Sequence, residues 1–223
     1  MNYNLLKYMD NILESDFPKA TKAGVIESIP GFLRVIPNTL SQQECTSIIQ
    51  LAEEKGFIPA SFYTDKDGVE HYSEIRKSSR CIIDSTPFAQ TLWERVKGFV
   101  PETFDQSWKV VGINERLRFL RYTSGDEFKV HTDGTYVSKE GHHSKITILI
   151  YLNDTYEGAF THIITNDNKW LGIQPEVGML VLQDQCLLHY VPPLTQGVKY
   201  VIRTEVMYEL VKKSDDIKII KIN

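Results

Sequence analysis

The stretch RLRFLRYTSGDEFKVHTD, Arg116 to Asp133, decides how the rest of the chain is read. From Leu117 to Tyr122 apolar and charged residues alternate, the pattern of a strand with one wet face. Tyr122-Thr123-Ser124-Gly125-Asp126 then spells a turn. The stretch ends on His131-Thr132-Asp133, and two residues separated by one lie on the same side of an extended chain. An imidazole and a carboxylate could therefore meet one ion there. Most such tripeptides are solvent-facing and bind nothing, so the motif needs its surroundings.

Downstream the texture stays β. KITILIYL, residues 145–152, is apolar enough for a fully buried strand, and shorter strands are expected at 160–164, 178–182, 187–191 and 199–208. Gly, Asn, Asp and Pro punctuate them, which points to a sandwich or barrel, not a parallel α/β sheet. Upstream the chain is helical. Leu5, Leu6, Met9, Ile12 and Leu13 recur at helical spacing. Ser41 followed by Glu44 predicts a capping box, and Gly56 a helix end. A third helix is expected from about Pro87 to Gly98, with Phe88, Leu92, Trp93 and Val96 on one side. The polar segment Tyr63 to Ser79 reads as a loop or hairpin, a candidate lid. The tail IKIIKIN adds an edge strand or frays.

Composition sets the outer bounds. With 223 residues, 42% hydrophobic and 24% charged, the chain can bury one substantial core. The net charge of −4 and the lack of any basic run argue against nucleic-acid binding. The N-terminus has no long apolar run, so neither a secretory signal nor a membrane span is expected. Cys45, Cys81 and Cys186 are scattered, as in a reducing, cytoplasmic setting.

A second histidine, His189 in LLHYVPP, completes a possible metal set. A lone histidine after two leucines is more often a hydrogen-bonded core residue. Two histidines and a carboxylate, however, form the facial triad that leaves positions open on Fe(II). Lys199 follows ten residues later and Arg203 four beyond it. Alternate basic residues commonly mark an exposed strand. Here both face the same way as Val201, and one of the two is expected to point inward. Such a cation can hold the far carboxylate of a dicarboxylate bound to the metal.

At this point the text resembles the prolyl 4-hydroxylase-like 2-oxoglutarate/Fe(II) dioxygenases. The carriers run from about Asn38 to Tyr208: LSQQEC, IRKSSRCIID, RYTSGDEFKVHTD, TILIYLND, EGAFTHI, PEVGMLVLQ and LLHYVPPLTQGVKYVIRTEVMY. The resemblance implies a mainly β fold with flanking helices (α+β). Its core is a double-stranded β-helix, or jelly roll, with helices packed on the major sheet. It implies one domain over residues 1–223, with helical support and lid in 1–100 and the catalytic core in 110–210. His131, Asp133 and His189 become the iron ligands, and Lys199 the anchor of 2-oxoglutarate, with Arg203 the runner-up. Tyr122 lines the co-substrate pocket and Thr147 lies on the strand forming its floor. Fe(II) and 2-oxoglutarate are the implied cofactors, with ascorbate an optional third. Molecular oxygen and a peptide or small-molecule substrate are the partners. The implied reaction splits 2-oxoglutarate to succinate and carbon dioxide while one oxygen enters a C–H bond.

Three departures lie beside the ligands, none on them. Glu157-Gly158-Ala159-Phe160-Thr161 stands where the family usually has two glycines and a Glu before threonine. Tyr136 sits three residues after Asp133, and Tyr190-Val191-Pro192 follows His189, where the family often has Glu, Ala or Gly. His71, His142 and His143 read as exposed loop residues. The rival readings are a small-molecule hydroxylase on the same scaffold, a non-catalytic jelly-roll binding module and a zinc hydrolase.

Overall fold

The computed structural model describes residues 7, 9–13, 23–61, 63–64, 70–71 and 74–211. Two antiparallel sheets face each other across a cleft. The larger runs in the order Gly24–Val25, Leu33–Ile36, Leu180–Asp184, His143–Tyr151, Lys199–Leu210, Arg116–Tyr122, Ser79–Asp84 and Ile58–Pro59. The smaller runs Trp170–Ile173, Thr161–Ile164, His189–Val191, Glu127–His131 and Arg76–Lys77. This is the jelly-roll arrangement that the resemblance implied.

Strand alternation explains how the larger sheet uses its two faces. Leu117 and Phe119 point away from the cleft, as do Ile146, Ile148, Ile150, Ile202 and Val206. There they join Ile48, Leu51, Phe88 and Leu92 in one buried cluster with the helices Gln42–Lys55 and Thr86–Val96. The intervening residues Arg118, Leu120, Tyr122, Leu149, Lys199, Val201 and Arg203 line the cleft. From Ile148 to Leu152 KITILIYL carries no charged residue because both faces of its strand are covered.

The helix ends follow the local chemistry. Ser41 and Glu44 make the reciprocal capping box, and Gly56 closes the helix at φ 88°. Ser85 caps the second helix, which ends at Val96 and passes into a 3₁₀ turn over Lys97–Phe99. Glu44 does further work: its carboxylate takes Arg95 Nη2 at 2.7 Å and Nη1 at 3.0 Å, and Arg95 Nη1 also donates to the Thr39 carbonyl at 2.9 Å. Both side chains of this pair are buried, so it locks the two helices together.

Some expectations change. His143 opens a long strand and packs on Trp108, with ring centroids 4.8 Å apart, so it is not an exposed loop residue. His71 lies in a two-residue strand paired with Tyr63–Thr64, and residues 74–79 continue into strands of both sheets. The segment is therefore a hairpin followed by strand, and residues 62, 65–69 and 72–73 lie outside the description. In the opening helix Lys7, Met9 and Asp10 are helical and Met9 is fully buried, while Leu5 and Leu6 lie outside the described residues, as does the IKIIKIN tail. No helix among the described residues is long and apolar enough to cross a membrane.

Candidate active site

The three candidate ligands meet at one end of the cleft. His131 closes the Glu127–His131 strand and sits opposite His189, the first residue of His189–Val191. A register shift between Phe128 and His131 accompanies the pairing, a common way to re-aim a side chain beside a site. Asp133 follows two residues on, its backbone N–H held by the Gln185 carbonyl at 2.9 Å. One ligand atom from each of the three lies within 4.8 Å of the others.

The surroundings suit a metal. His131 Nδ1 donates to the Lys129 carbonyl at 2.7 Å, and His189 Nδ1 donates to the Leu187 carbonyl at 2.9 Å. A carbonyl can only accept, so each Nδ1 carries the proton and each Nε2 lone pair is left for an ion. Phe128 stacks on His131 at 3.5 Å between centroids. Burial, helped by neighbouring His189, drops the His131 pKa to about 3, leaving a neutral imidazole ready to coordinate. Burial alone would raise the Asp133 carboxyl, but Arg203 and the Thr147 hydrogen bond help hold it well below the ordinary carboxylate range. Two imidazoles and one carboxylate, with open space on the cleft side, are the donor set of a ferrous facial triad.

Arg203 and Thr147 both act on Asp133. Thr147 Oγ1 donates to Asp133 Oδ2 at 2.6 Å, and Arg203 Nη2 lies 3.0 Å from Oδ1. Thr147 therefore stands behind the Asp133 carboxylate, on the strand that the sequence reading put at the floor of the pocket. Both Lys199 and Arg203 face the cleft, not one of them as expected.

Lys199 marks the other end. It is 1% exposed, and its Nζ donates to the Ala159 carbonyl at 2.6 Å. Around it stand the rings of Tyr122, Tyr151 and Tyr156, at 5.2, 5.4 and 6.0 Å from Nζ. Among the described residues no carboxylate pairs with it, and burial lowers its pKa to about 7. Thr161 lines this end; its Oγ1 accepts from Tyr151 Oη at 2.7 Å, which leaves its own hydroxyl hydrogen to donate. Among the described residues the buried Tyr156 hydroxyl has no hydrogen-bond partner. A buried cation and spare hydroxyls without an anion fit the far carboxylate of 2-oxoglutarate.

The sequence reading passed over several residues here. Thr161 was visible in EGAFT but was treated only as part of a departure. Arg118 Nη1 reaches both oxygens of Glu205, at 2.8 and 3.0 Å, and Arg203 Nη1 reaches one at 2.9 Å. Asn114 Nδ2 donates to the same carboxylate at 2.8 Å. Arg76 donates to the Ser61 carbonyl at 3.2 Å and lies over Phe128, its Cζ 4.9 Å from the ring centroid. Parity gave a signal for two of them: Arg118 shares a face with Tyr122, and Glu205 with Lys199 and Arg203.

Residues 117–204 match the model of the 2OG-Fe(II) oxygenase superfamily. No curated protein matches the chain. Among solved structures, a prolyl hydroxylase from Trichoplax adhaerens, in complex with a hypoxia inducible factor oxygen degradation domain peptide fragment, superposes at TM-score 0.61 with 18% identity, over 92% of this chain and 93% of that one. The viral collagen prolyl hydroxylase of Paramecium Bursaria Chlorella virus-1, in its 2-oxoglutarate complex, gives 0.57 with 18% identity, over 80% and 97%. A Pseudomonas putida prolyl-4-hydroxylase gives 0.57 with 13% identity, over 91% and 97%.

Proposed function

We propose that this chain is a 2OG-Fe(II) oxygenase that hydroxylates an unactivated C–H bond of a prolyl residue in a peptide or protein. The observation that carries the reading is one cleft of about 490 Å³ with convergent His131, Asp133 and His189 at one end and the unpaired Lys199 cation at the other. Ferrous iron and 2-oxoglutarate are the superfamily's cofactors; together they supply the oxidising power that opens a C–H bond.

The chain's own residues supply geometry. His131, Asp133 and His189 would hold the iron, with the open cleft beside them. Thr147 and Arg203 fix the rotamer of Asp133. Lys199 orients 2-oxoglutarate through a charge-assisted contact, with Thr161 and Tyr122 beside it. Leu120, Leu149 and Val201, between the two ends, keep the intervening space apolar and exclude water.

The prolyl part rests on the fold shared with three prolyl hydroxylases, one of them holding a peptide. A small-molecule hydroxylase is the second reading, favoured by the departures at Gly158-Ala159 and Tyr190-Val191-Pro192. Incubation of the iron-loaded protein with 2-oxoglutarate and a panel of proline-containing peptides tests between them. Peptide-dependent succinate release with a mass gain of one oxygen supports the prolyl reading. Turnover with free metabolites and with no peptide refutes it and leaves the dioxygenase reading standing.

A further inference from the structure

The cleft holds more positive charge than the reaction's own components use. Leaving aside Arg80, which has other contacts, its lining includes four cations: Arg76, Arg118, Lys199 and Arg203. Two carboxylates, Asp133 and Glu205, face them. A doubly positive iron and a doubly negative 2-oxoglutarate cancel, so the loaded site keeps a surplus of two positive charges. Surplus charge in a partly desolvated cleft is costly unless a ligand neutralises it.

The hydrogen bonds show where an anion would be taken. Glu205 is only 1% exposed and already accepts from Asn114, Arg118 and Arg203, so it has little capacity left. Arg118 commits only Nη1 to it; no hydrogen bond engages its Nε or Nη2 among the described residues. Those two nitrogens form the edge of a guanidinium that grips a carboxylate in two-pronged fashion. The Arg118 side chain is 17% exposed and lies beside Tyr136, its Cζ 5.9 Å from the ring centroid. It sits directly across the strand pair from Arg203, which touches Asp133. Register therefore puts Arg118 at the Arg203–Asp133 end of the cleft, four residues along its strand from the position paired with Lys199.

We propose that the Nε–Nη2 edge of Arg118 receives a carboxylate of the substrate, so that the molecule hydroxylated here is an acid. This rests on the dioxygenase reading and narrows its substrate class. The carboxylate comes either from an acidic side chain next to the target residue in a peptide or from the free acid group of a small molecule.

The test uses protein loaded with Mn(II) and 2-oxoglutarate, at constant ionic strength, and measures binding by equilibrium dialysis. One arm compares acetyl-Pro-Glu-amide with acetyl-Pro-Gln-amide; the other compares N-acetylproline with N-acetylprolinamide. The acid of at least one pair should bind about tenfold to a hundredfold more tightly than its amide. Arg118→Gln should abolish that preference without weakening the amide, and Arg118→Lys should keep part of it. The arm that shows the preference names the source of the carboxylate. If neither acid outbinds its amide, or if Arg118→Gln retains the full preference, the proposal is overturned. Binding of 2-oxoglutarate is measured before either compound is added, so a failure there counts against the dioxygenase reading, separately from this one.

Discussion

Raising the pH should loosen 2-oxoglutarate without touching the metal ligands. Lys199 is buried, has no acidic partner among the described residues, and ionises at about 7 in the free protein. Its neighbours Tyr122, Tyr151 and Tyr156 all have raised pKa values, chiefly through burial, so they stay neutral phenols. A bound carboxylate favours the ammonium and returns its pKa toward the ordinary 10.5 or above. Below pH 7 the cation is present in both states and affinity is flat. Between the two pKa values binding must first load a proton, and each pH unit costs about tenfold, roughly 1.4 kcal/mol. From about pH 7 to about pH 9 the Kd should rise roughly fiftyfold. Calorimetry on the Mn(II)-saturated protein, in two buffers of different ionisation enthalpy, reads both the Kd and the proton uptake. About one proton per 2-oxoglutarate is expected near pH 8. Lys199→Arg, charged throughout this range, should flatten the profile. A Kd constant to within a factor of two over this range, with no proton uptake, would refute the role given to Lys199.

Lys199→Ala should raise the 2-oxoglutarate requirement roughly ten- to hundredfold, and Arg203→Ala much less, because Arg203 is engaged by Asp133 and Glu205. A larger loss in the Arg203 variant would exchange the two roles. Arg95→Ala removes the guanidinium that faces the buried Glu44 carboxylate and should cost about 3–5 kcal/mol, lowering Tm by roughly 10 °C; a loss under about 1 kcal/mol would show that the pair is not holding the helices together. Ala159 has φ +50°, a left-handed conformation that costs a residue with a Cβ about 1–2 kcal/mol. Ala159→Gly should therefore raise stability by about 0.5–1 kcal/mol, read by urea denaturation, since glycine returns part of the gain as backbone entropy. A loss of stability would contradict the strain.

The capping box at Ser41 and Glu44, the alternation after Arg116 and the HxD-to-His spacing are local or periodic signals, and they were legible without coordinates. What the alternation could not tell was which environment each face meets. Arg118 fell on the side that alternation marks as wet; it lies inside a cleft, because a second sheet closes over it. The same long-range pairing turns Glu205, unremarkable in RTEVMY, into the shared partner of Arg118, Arg203 and Asn114. His143 read as an exposed loop residue, yet packing on Trp108 accompanies its place at the start of a strand. The departure at Ala159 was visible, but its meaning needed the backbone: a strained carbonyl that accepts from Lys199. Thr147 was legible as part of the strand that floors the pocket; its hydrogen bond to Asp133 was not, since no spacing rule shows that Asp133 folds back over it.

Anaerobic titration with Fe(II) followed by 2-oxoglutarate addresses the central claim most directly, through the weak visible charge-transfer band of a keto acid chelating ferrous iron. One iron per chain is expected, with the band appearing only when 2-oxoglutarate is present. Asp133→Ala should lose the iron, and Lys199→Ala should keep it while needing far more 2-oxoglutarate to develop the band. A parent protein that binds no iron, or binds it and gives no band at saturating 2-oxoglutarate, would contradict the account.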